Sequence, residues 1–323
     1  MPTQAHLRSS ENSMNPEEIQ KLINTLQAEA REHKKSAVMH ENLDRLTEIA
    51  RSYAGEDKII SSLEIAEKLK TRPEIPWIKS SITGLDSILS GFLTKQVITI
   101  AAPTKNGKTQ FCVELTSRLK EHSPMWLPFE EPAEELIQKF LDRNEAPPLF
   151  YTPEVMTGNT PLWVEKKIIE AIAKHGSKII FIDHLHFIVP FSAERMDLRI
   201  GETMRTLKAL AKKWDVAIFL IAHLSKTKLE TSPDISDLRD SSFIAQESDT
   251  VILLWRETKR RDDGQVEITN NVNVSVQANR RTGKTGNVQM VFKNGHFVES
   301  AWTPEAEEKR QAEIKATSDY EKW

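Results

Sequence analysis

Residues 97–110 read Val-Ile-Thr-Ile-Ala-Ala-Pro-Thr-Lys-Asn-Gly-Lys-Thr-Gln, and few backbone arrangements accommodate that order. The β-branched apolar run from Val97 to Ala101 predicts a buried strand. Pro103, Thr104, Lys105 and Asn106 predict a turn. Gly107, Lys108 and Thr109 then open an amphipathic pattern from Gln110 to Lys120, which predicts a helix of roughly three turns. Strand, tight loop and helix with Gly-Lys-Thr at its start form the layout of a phosphate-binding P-loop. Its backbone N–H groups and helix N-terminus cradle phosphates, Lys108 reaches the outer ones, and the Thr109 hydroxyl holds Mg²⁺. The predicted nucleotide contacts run from Ala102 through Gln110. Ala102 stands where the pattern has its first Gly, so that position must keep a negative φ. A surface turn with a chance Gly-Lys-Thr is the alternative, and the buried strand before it argues against that.

The rest of the chain limits the classes open to it. At 323 residues it is long enough for a sizeable core, and its net charge of −3 leaves nucleic-acid contact to local basic loops. The single cysteine, Cys112, excludes a disulfide framework and fits a reducing interior. No apolar run approaches membrane-span length, and residues 1–15 lack a signal-peptide core, so a cytoplasmic protein without membrane contact is expected.

The Ser-, Asn- and Gln-rich stretch 1–15 predicts a disordered tail. Three helical patterns follow over 16–35, 40–53 and 61–71. Their apolar faces carry Ile19, Leu22, Ile23 and Leu26, then Leu43, Leu46, Ile49 and Ala50, then Leu63, Ile65, Ala66 and Leu69. Ser61-Ser-Leu-Glu64 is a capping box for the last of them. Two readings stand level: a small bundle on its own core, or an arm that docks on a neighbouring subunit. Residues 72–76, Arg-Pro-Glu-Ile-Pro, read as a linker that closes an arm segment of 16–76.

From Trp77 strands and helices alternate, which predicts an α/β domain over 77–300 with a mostly parallel sheet covered by helices. Strands are expected at 125–129, 178–183, 216–222, 250–255, 272–278 and 287–292, with a short one ending at Phe150 and Tyr151. Helices are expected at 133–141, 161–175 and 197–213, a polar loop at 227–240 and a turn at 293–296. A charged tail over 301–323 follows. A second Gly-Lys-Thr, at 283–285, lies between two strands and predicts a hairpin turn.

In such a sheet ligands sit beyond the carboxyl ends of the strands, where Glu130, Asp183 and His223 fall. Asp183, after four buried apolar residues, suits a carboxylate that holds Mg²⁺ with Thr109. Glu130 suits a general base for an attacking water, although Glu130 and Glu131 also enrich the first turn of the next helix. His223 suits a γ-phosphate sensor or a satisfied strand-end histidine.

Thr83-Gly-Leu-Asp86, the P-loop, Phe129-Glu-Glu131, Ile182-Asp-His-Leu185, Ala222-His-Leu224, Asp237-Leu-Arg-Asp-Ser241 and Arg280-Arg-Thr-Gly283 occur in that order. Order and spacing resemble the RecA-like motor domain of ring-shaped replicative helicases: the DnaB group, phage primase-helicases and mitochondrial Twinkle. The resemblance covers Trp77 to about Glu299. It implies an ATP- and Mg²⁺-dependent, DnaB-like DNA helicase motor, a homo-oligomer of hexameric-ring type that translocates on single-stranded DNA. Primase or loader proteins are the implied partners. It makes Glu130 the catalytic carboxylate, His223 the phosphate sensor and Arg281 the finger inserted into the neighbour's site. Arg280 and Arg256 stand as substitutes for the finger, with Arg256 also near the nucleotide. Asn279 stands where the family usually has Lys. It further implies a central-channel loop in which Arg239, Asp240, Ser241 and Ser242 track the DNA backbone, Ser242 replacing a usual Gly. Arg195 and Arg199 form a second implied contact, with a solvated helix start as the competing reading. The rival functions are a RecA- or KaiC-like DNA-binding or regulatory ATPase that does not unwind, and a pseudo-ATPase scaffold.

Overall fold

The structure is a computed structural model, and it describes residues 13–32, 37–54, 59–71, 76–189, 196–224, 232–238, 241–260 and 265–300. The predicted C-terminal tail, most of the predicted linker and half of the 227–240 loop lie outside the described residues.

The sheet has eight strands in the order β2-β3-β4-β1-β5-β6-β7-β8. These are β1 Val97–Ala102, β2 Met125–Pro128, β3 Ile179–Asp183, β4 Ala217–His223, β5 Thr250–Arg260, β6 Val266–Asn279, β7 Gly286–Lys293 and β8 His296–Glu299. β2, β3, β4, β1 and β5 run parallel, and β6, β7 and β8 complete the sheet antiparallel. The expected mostly parallel α/β architecture is the one observed. β1 lies centrally because it is apolar on both faces. Val97 and Ala101 join the core on one side, and Ile98, Ile100 and Ala102 join the core on the other.

Ten α-helices are described: α1 Pro16–Glu32, α2 Ala37–Ala54, α3 Ser62–Thr71, α4 Thr83–Leu89, α5 Lys108–Arg118, α6 Ala133–Leu141, α7 Pro161–His175, α8 Leu185–Ile188, α9 Met196–Trp214 and α10 Ser241–Glu247. α5 begins where Gly107, at φ 88°, releases the chain from the loop. α7 matches its expected bounds because Thr160 caps it, Pro161 starts it and Gly176 ends it in the left-handed region.

Neither reading of the arm describes α1 and α2. Ile19, Ile23, Leu26, Leu43 and Leu46 are buried in the same core as α7 and α9 residues such as Ile168 and Leu210. Met14, within the stretch expected to be a tail, is buried too, and its N–H donates to the buried Glu165 carboxylate. Glu165 also accepts from Lys213 Nζ at 2.8 Å and Trp214 Nε1 at 3.0 Å. By contrast α3 leaves its apolar face uncovered, with Leu63 77%, Ile65 46% and Leu69 62% exposed. Its capping box is present: Glu64 accepts from the Ser61 N–H at 2.8 Å, and Ser61 Oγ accepts from the Glu64 N–H at 3.2 Å.

Several expectations need correction. Phe150 and Tyr151 end no strand; Tyr151 makes only an isolated parallel bridge to Met125. β5 and β6 run longer than expected, out to Arg260 and back from Val266, because backbone pairing and cross-strand side-chain bonds such as Arg256 to Asn270 carry a ribbon whose side chains are largely exposed. β8 was not expected; it spans four residues and buries only Phe297. α4, α8 and α10 are similarly short. α4 contains the Thr83-Gly-Leu-Asp86 segment, whose first N–H groups, Thr83 and Gly84, donate to the Glu299 carboxylate at 3.0 and 2.6 Å. Asp86 in turn accepts from Ser80 and Ser81, so this segment fastens one end of the α/β unit to the other.

Candidate nucleotide site

β1 delivers the loop Pro103–Gly107 to the carboxyl edge of the sheet, and α5 carries Lys108 and Thr109 away from it. Ala102 keeps a negative φ, as its place in the pattern requires, and is fully buried in register with His223. Lys105 and Gly107 take positive φ values of 65° and 88°. Alternation of this kind turns successive N–H groups toward one point, a concavity suited to anions. Asn106 braces the loop: its Oδ1 accepts from the Arg256 N–H at 2.8 Å and its Nδ2 donates to the Thr104 carbonyl at 3.2 Å. Lys108 is 8% exposed. Gln110 points elsewhere, donating to the Gly295 carbonyl at 3.1 Å.

Thr109 donates its hydroxyl proton to Asp183 Oδ2 at 3.0 Å, joining α5 to the end of β3. The other oxygen, Oδ1, is buried and has no hydrogen-bond partner among the described residues. Burial first, and then the Glu130 charge, push the Asp183 carboxyl up from its ordinary 3.8 to about 6; the Thr109 hydrogen bond and Lys108 act against that shift. A buried carboxylate oxygen without a donor, beside a threonine hydroxyl, is a hard-oxygen pair of the kind that takes Mg²⁺.

Backbone pairing at the β2–β3 edge brings Glu130 to Asp183. The Phe129 and Glu130 N–H groups both donate to the Asp183 carbonyl, at 2.7 and 3.0 Å. Glu131 turns away and pairs with Lys139 of α6. That separates two carboxylates adjacent in the sequence. Glu130 Oε2 lies 3.6 Å from His223 Nε2 and 3.7 Å from His184 Nε2. The proximity of His184 had no signal in the sequence beyond its place after Asp183.

Other predicted residues lie elsewhere. The Arg256 side chain is engaged on β6, donating to the Thr269 carbonyl at 2.7 Å and Asn270 Oδ1 at 2.6 Å, so only its N–H reaches the loop. Arg280 and Arg281 occupy the β6–β7 turn, and Gly283, at φ 68°, makes the second Gly-Lys-Thr the expected hairpin turn. Register sets that turn at the opposite edge of the sheet from the P-loop. Asn279 pairs with Thr250 and Thr250 with Ile98, at the start of β1. The Arg281 guanidinium lies 4.9 Å over the Trp77 ring. Arg199 is half-buried, 3.9 Å from Glu202, while Arg195, Arg239 and Asp240 lie outside the described residues. Ser241 and Ser242 open α10.

The fold and this site define a RecA-like P-loop domain. Within that class the chain is similar to the DnaB-like helicases: residues 154–298 match the family described as DnaB-like helicase C terminal domain. Replicative DNA helicase DnaB of Pasteurella multocida is 25% identical over 281 residues, 75% of this chain and 58% of that protein. Its counterpart in Geobacillus stearothermophilus is 25% identical over 73% of this chain and 59% of its own length. The chain therefore spans little more than half the length of these relatives. Among solved structures, an isolated ATPase domain superposes with a TM-score of 0.61 at 21% identity, covering 74% of this chain and 96% of that domain. A DnaB-like replicative helicase, solved in a study of its interactions with primase, superposes at 0.60 and 21% identity, covering 87% and 76%. No described helix is long and apolar enough to cross a membrane.

Proposed function

We propose that the chain is the ATP-hydrolysing motor of a ring-forming, DnaB-like helicase that translocates on single-stranded DNA. The observation that carries the reading is the meeting of Thr109, the donorless Asp183 Oδ1 and Glu130 at the mouth of one phosphate loop. The loop N–H groups and Lys108 hold the triphosphate of ATP. Thr109 and Asp183 hold Mg²⁺, which when bound neutralises charge that develops on the phosphate oxygens. Glu130 accepts the proton of the attacking water, and His223, at the end of the neighbouring strand, reports on the outer phosphate. Arg281, remote from its own loop, completes the site of an adjacent subunit, and Arg280 is its nearest substitute. Arg239, Asp240, Ser241 and Ser242, with Arg195 and Arg199, form the DNA-facing loops of the channel.

Assembly follows from the same reading. The uncovered face of α3 docks on a neighbouring copy, and the ring is a hexamer. A primase, with which one similar DnaB-like helicase interacts, or a loader protein is the further partner.

Turnover and strand displacement on a forked duplex test this together. Lys108→Ala is expected to lose nucleotide binding and both activities. Glu130→Gln is expected to bind nucleotide normally yet turn over on the order of 10²–10⁴-fold more slowly, the usual worth of a general base. Turnover without strand displacement by the wild-type chain would remove the helicase reading and leave a DNA-binding or regulatory ATPase.

A further inference from the structure

The mouth of the site holds a second donor set, which adds His184 to the Glu130 and His223 of the proposed hydrolysis. Glu130 and His184 follow β2 and β3, and His223 ends β4, three neighbouring strands. Each offers one ligand atom, and these atoms all lie within 4.8 Å of one another. The two imidazole rings stand nearly perpendicular, 87° apart, with centroids separated by 4.3 Å. A tetrahedral ion with bonds of about 2.0–2.1 Å spaces its ligand atoms roughly 3.3 Å apart. The Glu130 oxygen, at 3.6 and 3.7 Å from the two ring nitrogens, is already close to that spacing.

Donor chemistry separates this cluster from the Thr109–Asp183 pair. Mg²⁺ takes oxygens, whereas two imidazoles and a carboxylate suit borderline divalent transition ions. We infer that Glu130, His184 and His223 bind one divalent transition-metal ion of the Zn²⁺ class, and that the bound ion blocks turnover by taking the Glu130 carboxylate. The blocking step rests on Glu130 as the water-polarising group; the binding step does not. His184 Nδ1 accepts from the His186 N–H at 3.3 Å. Metal at Nε2 puts the ring proton on Nδ1, so that long contact is given up. His184 is 9% exposed and Glu130 opens to solvent, so an ion enters past the carboxylate and keeps water as its remaining ligand.

The test uses the full chain without nucleotide. Co²⁺ serves as the spectroscopic probe and Zn²⁺ as the competitor. One equivalent of Co²⁺ is expected to give the intense visible bands of a tetrahedral site, and Zn²⁺ to bleach them. His184→Gln, His223→Gln and Glu130→Gln should each weaken Zn²⁺ binding at least about tenfold, with circular dichroism confirming the fold and His186→Ala retaining the site. Turnover in excess MgATP, at buffered free Zn²⁺, should fall and recover on chelation. Whatever its own rate, His184→Gln should need about tenfold more Zn²⁺ for the same fractional inhibition. Absence of a saturable Co²⁺ band, or unchanged Zn²⁺ affinity in both histidine variants, overturns the site. Tight Zn²⁺ binding without inhibition overturns the blocking step. Wild-type turnover of Glu130→Gln in metal-free buffer overturns the role of Glu130 and leaves the metal site standing.

Discussion

Asp183 is held against its own preference. Almost fully buried and next to Glu130, its carboxyl titrates at about 6 rather than 3.8. Between those values the folded chain keeps a proton that the unfolded chain has released. Stability therefore falls as pH rises through the window, and the penalty stands in full above it. Two pKa units correspond to about 3 kcal/mol. Asp183→Asn should thus stabilise the nucleotide-free protein by roughly 1–3 kcal/mol at pH 8. In urea unfolding from pH 4 to 8 it should also flatten the pH dependence, and it should abolish turnover. Equal stability of the two proteins at pH 8 would count against the strain at this site. Lys108, Thr109 and Asp183 were legible in the sequence because each stands where an apolar strand or a loop ends. The resemblance alone selects Glu130 over Glu131; the pairing of Glu131 with Lys139, which sets it aside, was not legible, since it forms only once α6 does. Nor was the engagement of Arg256, which depends on a hairpin that folds back over it.

At the scale of elements, the β6–β7 hairpin is the most informative. Asn279 organises the turn. Its Oδ1 accepts from the Arg281 N–H at 3.2 Å and its Nδ2 donates to Thr282 Oγ1 at 2.7 Å. The turn sits four residues of strand, roughly 13 Å, from the phosphate loop at the other edge. Arg281 therefore acts, if it acts as a finger, only on another subunit. Arg281→Ala is expected to bind ATP normally and to lose turnover by about 10³-fold or more. Mixed with the inactive Lys108→Ala, it should recover part of the lost activity, because some interfaces then pair an intact loop with an intact Arg281. No recovery in confirmed mixed assemblies would argue against action between subunits. The hairpin itself was readable from two alternating runs around Gly283. Its placement across the sheet was not, because register is set by long-range pairing.

The described residues form two cores, one on each face of the sheet, and α1 and α2 of the arm belong to one of them. Ile23→Ala should accordingly destabilise the chain by about 2–5 kcal/mol, as a fully buried core residue does. Deleting residues 59–71 removes only α3 and its exposed approach, so the unfolding midpoint should stay within experimental scatter. Sedimentation with an ATP analogue and single-stranded DNA should show weaker assembly of that variant; unchanged assembly would sink the docking of α3 on a neighbouring copy. The apolar faces of α1 and α2 were plain from their spacing, but spacing cannot say which surface covers a face. That surface is supplied by α7 and α9, far along the chain. Met14 and Glu165 are 151 residues apart. Translation at roughly 5–20 residues per second therefore takes on the order of 10–40 s to pass from Pro16 to Trp214. For that interval Ile19, Ile23, Leu43 and Leu46 have only the α1–α2 pair to shelter them. A nascent chain of this kind leaves the ribosome carrying an unfinished apolar hairpin, and its yield in a cell depends on what attends it until α9 arrives.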